Sequence, residues 1–140
     1  MQIKFDAHQQ FQLDAVEAVC GLFQGQPVAN SFSTVDRGNA HGEVFNEIGL
    51  ANRLVLDAEE ILRNVRKVQG RYNLLQTDAL EGMNFSVEME TGTGKTYVYL
   101  RTVYELNARF GFKKFVIIVP TVAIREGVQK SISMTKEHFG

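Results

Sequence analysis

Cysteine, proline and tryptophan are scarce in this sequence. Its 140 residues include one cysteine, two prolines and no tryptophan. A single cysteine excludes an internal disulfide and is typical of a reducing compartment, so we expect the protein in the cytoplasm. The three histidines stand far apart, with no cysteine or acidic residue at a metal-ligand spacing, which argues against a zinc site. No apolar run approaches the ~20 residues of a membrane span, and we expect no membrane partner.

Positive and negative charges are nearly balanced in this sequence. The chain has 15 basic and 16 acidic residues and a net charge of −1. The overall field therefore does not indicate a nucleic-acid partner, and any contact with DNA must be argued locally. Hydrophobic residues make up 44% and charged residues 22%, which is ordinary for a globular protein. The length suits one domain with a modest core.

The first part of the chain predicts a helix followed by a long loop. Apolar side chains recur at three- and four-residue spacing over residues 7–23, and Asp6 stands where it can cap the helix. Residues 24–46 are rich in glycine, asparagine and serine, which predicts a loop with one short strand at 30–35.

A second helix is predicted to begin after Asp57. Glu60 stands three residues later, as in a capping box, and Gly70 is placed to stop the helix. The segment 54–60 also resembles an apolar strand that ends in paired magnesium-binding acids. We favour the helix-capping interpretation, because a cap is a sufficient local role for Asp57 and Glu60.

The pattern changes after residue 83. Residues 84–89 and the continuous apolar run 115–119 predict two strands, each followed by a turn and a helix. The first of these helices spans 95–110, and the second follows Pro120. Alternation of strand and helix predicts an α/β fold with parallel strands, preceded by a mainly helical N-terminal segment.

A glycine-bearing turn between the first strand and its helix carries most of the functional signal. Gly92 and Gly94 let the backbone curl so that successive N–H groups converge, and the helix N-terminus favours an anion. Lys95 is placed to reach the outer phosphates of a nucleoside triphosphate, and the Thr96 hydroxyl to bind Mg²⁺. We therefore assign Lys95 and Thr96 the catalytic role, and Thr96 the metal-binding one.

One departure from the full phosphate-loop pattern keeps a second interpretation open. The pattern requires a glycine six residues before the lysine, and that position is Met89. The alternative is a glycine turn that only connects a strand to a helix.

Three segments together resemble the superfamily-two helicases. Residues 89–96 resemble motif I, which tolerates an apolar residue in place of the first glycine. Residues 119–128 resemble motif Ia, and residues 11–16 resemble the upstream glutamine motif. The combination is most similar to the Res subunit of type III restriction enzymes. It implies that residues 1–140 are part of a RecA-like lobe, with a glutamine-motif helix (7–23), an inserted loop and helix (24–82) and a phosphate-loop unit (83–140).

The resemblance implies a nucleotide site built from two segments. Gln12 would read the adenine of ATP through its terminal amide, with Gln9 and Gln10 as neighbouring alternatives for that role. A solvated helix position is the plain interpretation of Gln12. The expected residues that bind the cofactors ATP and Mg²⁺ are Gln12, Thr91, Gly92, Thr93, Gly94, Lys95 and Thr96.

The resemblance also implies a DNA contact at the start of the last helix. Pro120 and Thr121 would lie against a backbone phosphate, with assistance from Arg125. From the residues alone, a helix cap at Thr121 and a solvated arginine are the simpler interpretation. The basic pair Lys113 and Lys114 is assigned no role.

The expected function is the ATP-binding front end of a DNA-dependent ATPase or translocase. Double-stranded DNA and a methyltransferase (Mod) subunit are the partners that the resemblance implies. No acidic motif follows residue 119, so we expect a piece of a longer polypeptide that does not hydrolyse ATP alone. Two alternatives stay open: an ATPase that acts on protein or small molecules, and a non-catalytic module whose glycine loop binds nothing.

Overall fold

The computed structural model describes residues 9–28 and 52–139, and these ranges contain four α-helices. Helix α1 spans Gln10–Gly21, α2 spans Ala58–Arg71, α3 spans Lys95–Phe110 and α4 spans Val122–Phe139. Helix α1 packs against both α2 and α3, and α4 packs against α3. Helices α1 and α3 therefore each contact two other helices, and α2 and α4 pack on opposite members of this pair. The short strand predicted at 30–35 lies outside the described residues.

The predicted α/β fold, a partial RecA-like domain with parallel strands, is wrong for the part of the chain described here. No strand occurs in 9–28 or 52–139, and residues 84–90 and 111–119 have no regular structure. Val116 is 87% exposed and Ile118 is 90% exposed, so the apolar run is not covered on both faces. An apolar sequence can favour an extended backbone, but a strand also needs a hydrogen-bonded neighbour, which neither segment has within these ranges.

Just before the apolar run 115–119, the backbone forms hydrogen bonds with an asparagine side chain and not with a neighbouring strand. The Asn52 Oδ1 atom accepts hydrogen bonds from the backbone N–H groups of Lys113 (2.8 Å) and Lys114 (3.0 Å). Its Nδ2 atom donates to the Lys114 carbonyl at 2.6 Å. The backbone after α3 is thus held by one asparagine amide.

Helix α1 begins later than the sequence predicts. Gln9 is its N-terminal cap residue, with extended backbone and no side-chain capping bond, and Asp6 lies outside the described residues. The buried face of α1 packs on α3 in one apolar cluster. The buried members of that cluster are Ala15, Val16, Cys20, Val98, Leu106 and Phe112.

Helix α2 begins as the sequence predicts. Asp57 accepts a hydrogen bond from the Glu60 N–H (2.8 Å), and Glu60 accepts one from the Asp57 N–H (2.9 Å), so the capping box is complete. Gly70 does not stop this helix as predicted. The helix continues to Arg71, and the left-handed residue that follows is Asn73, with φ of 55°.

Two buried amides join the end of α1 to the α2 segment. The Asn64 side chain, 5% exposed, donates to the carbonyls of Leu22 (3.0 Å) and Gln24 (2.9 Å). The Gln26 amide donates to the Arg53 carbonyl (2.9 Å) and accepts from the Val55 N–H (2.9 Å). Burying these amides costs little because each has backbone partners.

Helix α3 ends and helix α4 begins where the sequence predicts. Gly111 is left-handed, with φ of 71°, and its N–H bonds to the Asn107 carbonyl at 2.8 Å. The hydroxyl of Thr121 accepts from the Ile124 N–H at 3.3 Å, as a cap would. Among the described residues, no helix combines the length and apolar character needed to cross a bilayer.

Candidate phosphate-binding loop

The loop before α3 has the backbone that the two glycines were expected to provide. Gly92 has φ of 80° and Gly94 has φ of 86°, both in the left-handed region. Gly94 is the N-terminal cap residue of α3, so the helix begins at Lys95. An L-residue in this conformation costs about 1–2 kcal/mol, which explains glycine at both positions.

The N-terminus of α3 differs from that of α2 in a way that favours an anion. Helix α2 has a capping side chain and two acidic residues, Glu59 and Glu60, in its first turn. Helix α3 has no side-chain cap and no acidic residue in its first turn. Its first N–H groups and the positive end of its dipole therefore have no side-chain anion to satisfy them.

Lys95 and Thr96 occupy the first turn of α3. The Lys95 side chain is exposed, and Thr96 is half-buried. Gly92 is also exposed, and a Cβ atom built on it meets nothing within 4 Å. The loop backbone at Gly92 is therefore open to solvent, next to the helical turn that carries Lys95 and Thr96.

Thr93 is held in place by two hydrogen bonds, one from its hydroxyl group and one to its carbonyl group. Its hydroxyl donates to the Glu90 carbonyl at 2.6 Å, which closes the turn on itself. Its carbonyl accepts a hydrogen bond from the Gln12 Nε2 atom at 2.8 Å, across 81 residues of sequence. The loop is therefore attached to α1 as well as to α3.

Gln12 is buried where its amide meets the loop. The residue is 8% exposed. A Cβ atom at Gly94 would lie 2.5 Å from the Gln12 Nε2 atom, closer than real contacts allow. The adenine-reading role expected of Gln12 remains a prediction, but the structure does bring Gln12 to the candidate phosphate-binding loop. Of the alternatives, Gln9 and Gln10 are exposed, and the Gln10 amide bonds to Asp14 on its own helix.

The residues expected to contact DNA lie together at the start of α4. Pro120, Thr121 and Arg125 are exposed, and the Arg125 N–H bonds to the Thr121 carbonyl at 3.1 Å. The Thr121 hydroxyl oxygen is engaged in the cap of α4. The geometry agrees with the simple helix-cap interpretation and leaves the hydroxyl proton and Arg125 able to meet a phosphate.

Two contacts that hold α1 against α3 and against the end of α2 were not predicted from the sequence. Arg109 on α3 binds Glu17 on α1, 92 residues away. Tyr72, just after α2, donates its hydroxyl to the Asp14 carbonyl at 3.2 Å. No local pattern marks such pairs; only knowledge that α1 packs on α3 would suggest the first.

A profile of the family described as "Type III restriction enzyme, res subunit" matches residues 52–138. The chain belongs to this family. The Res subunit of the StyLTI type III restriction-modification enzyme of Salmonella typhimurium is 53% identical over 58 residues, which are 40% of this chain and 6% of that protein.

Two further Res subunits align over longer stretches. That of EcoPI, from Escherichia phage P1, is 40% identical over 91 residues, 61% of this chain and 9% of the relative. That of EcoP15I, from Escherichia coli, is 38% identical over 96 residues, 64% of this chain and 10% of the relative. The chain thus spans no more than about a tenth of the length of these Res subunits.

The residues present fit a magnesium nucleotide. Convergent backbone N–H groups, one lysine and one hydroxyl form the donor set by which glycine loops hold phosphates and Mg²⁺. The left-handed glycines and the uncapped α3 terminus mark the described positions at which such donors would lie. The one residue that departs from the pattern, Met89, is half-buried against the α1–α3 cluster. Met89 thus contributes to packing where the pattern has a glycine.

Proposed function

We propose that this chain carries the ATP-binding loop of a type III restriction Res subunit. The supporting observation is the α3 terminus, where two left-handed glycines lead into a helix that starts at an exposed lysine and has no capping side chain. The N–H groups of the loop would bind the phosphates, Lys95 would neutralise the outer ones, and Thr96 would bind the metal ion. When bound, Mg²⁺ supplies charge neutralisation at the phosphates.

The energetics of such a site are plausible for these residues. Micromolar affinity needs about 8 kcal/mol. The helix dipole supplies at most about 2 kcal/mol of this. Hydrogen bonds to a charged group contribute roughly 1.5–3 kcal/mol each, so several loop N–H groups and Lys95 together reach the required range.

In the whole Res subunit, we propose that nucleotide hydrolysis drives a reaction on double-stranded DNA, in company with a methyltransferase subunit. The similarity to three Res subunits of restriction-modification enzymes supports this. The exposed group of Pro120, Thr121 and Arg125 would contact the DNA backbone. Phosphate contacts of this kind position a protein on DNA without reading its sequence.

Titration with a fluorescent ATP analogue and Mg²⁺ tests the nucleotide site. Wild-type chain should bind saturably, and Lys95→Ala should bind at least about tenfold more weakly, because the charge on the outer phosphates is lost. Lys130→Ala is the matched control, since it removes an exposed lysine from α4. Equal binding by wild type and Lys95→Ala would refute the assignment. Thr96→Val should reduce the dependence of binding on Mg²⁺.

The DNA contact has a separate test. Binding to a DNA duplex, measured at a series of salt concentrations, should weaken linearly on a logarithmic scale. Arg125→Ala should reduce that salt slope by about 1, as expected for one lost phosphate contact. Lys67→Ala, on exposed α2 surface, is the control. Absence of salt-dependent binding by this chain would count against a DNA contact at α4 and leave the nucleotide site untouched.

A further inference from the structure

The Gln12 amide holds the backbone of the phosphate loop. Its Nε2 atom lies 2.8 Å from the Thr93 carbonyl oxygen and is directed at the place where Gly94 lacks a side chain. Reading a base requires the amide to present its N–H₂ group and its oxygen to a ligand. Here the residue is 8% exposed and the N–H₂ group faces the loop.

We propose that Gln12 is a positioning residue of the loop, one that sets its affinity for the phosphates of a nucleoside triphosphate whichever base that nucleotide carries. The inference rests on the proposed nucleotide site and deepens it. It differs from adenine reading because Gln12 acts through the loop backbone and does not need to contact the ligand.

The planarity of one peptide unit explains how the contact would act. The Thr93 carbonyl and the Gly94 N–H belong to the same trans peptide, so they point in opposite directions. A hydrogen bond that fixes the carbonyl toward α1 therefore aims the Gly94 N–H away from α1. It also polarises the peptide, which makes that N–H a stronger donor.

One further contact and the absence of a side chain at Gly94 keep this peptide in place. The Thr93 hydroxyl bonds to the Glu90 carbonyl at 2.6 Å, which fixes the residue from the side of the turn. The missing side chain at Gly94 leaves room for the Gln12 amide, because a Cβ atom would lie 2.5 Å from Nε2 and 3.6 Å from Cδ. Glycine at 94 therefore serves the approach of Gln12 as well as the left-handed backbone.

The test compares three ligands: Mg-ATP, Mg-GTP and magnesium tripolyphosphate, which has no base. Their affinities are measured on the 140-residue chain and on Gln12→Ala and Gln12→Glu. Gln12→Ala should weaken all three by the same factor, about two- to tenfold, as expected for one lost hydrogen bond. Gln12→Glu should be at least as harmful, because its carboxylate cannot donate to the Thr93 carbonyl. Gln129→Ala removes the same side chain from the exposed surface of α4 and should change none of them.

A readout at the peptide itself separates positioning from a general loosening of the fold. Without any ligand, Gln12→Ala should shift the amide ¹⁵N and ¹H resonances of Gly94 and leave those of Gly111, at the far end of α3, unchanged. Comparable shifts at both glycines, or none at Gly94, would overturn the inference.

The ligand comparison also distinguishes failure of the inference from failure of the proposed function. Weaker binding of ATP in Gln12→Ala, with GTP and tripolyphosphate unaffected, would show base reading and overturn the inference alone. Failure of the wild-type chain to bind any of the three ligands would overturn the nucleotide site and the inference together.

Discussion

Arg109, near the end of α3, binds Glu17 on α1 through two nitrogens of its guanidinium group. The same guanidinium also binds Glu105 on its own helix through Nε at 2.9 Å. The Arg109 hydrogen bond holds the pKa of Glu17 below its usual value of 4.5. The Arg109 side chain is 38% exposed and that of Glu17 is 43% exposed. Because solvent screens the attraction between them, we expect the ion pair to contribute roughly 0.2–1 kcal/mol to the free energy of unfolding.

Glu17→Gln should therefore lower stability slightly at neutral pH and not in acid. A carboxyl group whose pKa is lower in the folded state stabilises the fold above its unfolded pKa. That contribution is lost as the pH falls below 4.5 toward the lowered folded value. Urea unfolding of wild type and variant at pH 7 and pH 3 checks this, with the exposed Glu126→Gln as control. The same stability difference at both pH values would contradict the ion-pair explanation.

Removing the α2 cap should destabilise the protein by about 0.5–2 kcal/mol. Asp57→Ala removes the acceptor of the Glu60 N–H and breaks the reciprocal capping box. The matched control is Glu59→Ala, which removes an acidic side chain from the same helical turn without breaking a capping bond. Both variants lose a favourable interaction with the helix dipole, so the difference between their urea midpoints reports the cap. Equal midpoints would mean that the capping box contributes nothing measurable.

The features predicted correctly from sequence are those whose causes are local. The capping box at Asp57 and the glycine end of α3 at Gly111 each involve residues within a few positions, and both are confirmed. The two strands were predicted wrongly because an apolar, β-branched run such as 115–119 contains no information on whether a neighbour will pair with it. In this structure, Asn52 meets the backbone just before that run.

At the candidate site, too, the features with local causes were predictable and those that depend on distant residues were not. The left-handed conformations of Gly92 and Gly94 follow from the loop sequence itself. The motif resemblance identified Gln12 as a candidate residue, but it could not predict that the Thr93 carbonyl would be its hydrogen-bond partner. The Thr93 carbonyl is 81 residues away, and which side chain reaches it depends on how α1 packs against α3. Spacing along one helix cannot give that information.

Cys20 should react very slowly with thiol reagents in the native protein. The residue is 1% exposed, and burial raises the pKa of its thiol from 9.0 to about 11. A rise of this size lowers the thiolate fraction about a hundredfold at pH 8, and the thiolate is the reactive form. Since the chain has one cysteine, the rate of labelling by a chromogenic disulfide reports on this site alone. We expect at least about a hundredfold increase in 8 M urea. A native rate close to the unfolded rate would show that α1 opens readily from α3.

The two loop glycines offer a matched pair of substitutions. Both have left-handed backbones, so alanine at either position should cost about 1–2 kcal/mol in strain. At Gly92 the added Cβ meets nothing within 4 Å, whereas at Gly94 it lies 2.5 Å from the Gln12 amide nitrogen. The end of a glutamine side chain can move away, but only by giving up its bond to Thr93. Gly94→Ala should therefore lower the free energy of unfolding by about 0.5–1.5 kcal/mol more than Gly92→Ala.

A double-mutant cycle decides whether Gln12 is the reason for that difference. Gln12→Ala should destabilise the wild-type chain and the Gly92→Ala variant by similar amounts, because both retain the Thr93 contact. In the Gly94→Ala variant the contact is already broken, so Gln12→Ala should have almost no further effect. Urea unfolding of the single and double variants gives the coupling directly. Additive losses for Gln12→Ala and Gly94→Ala would mean that the two residues are independent and that glycine is needed at 94 for its backbone conformation alone.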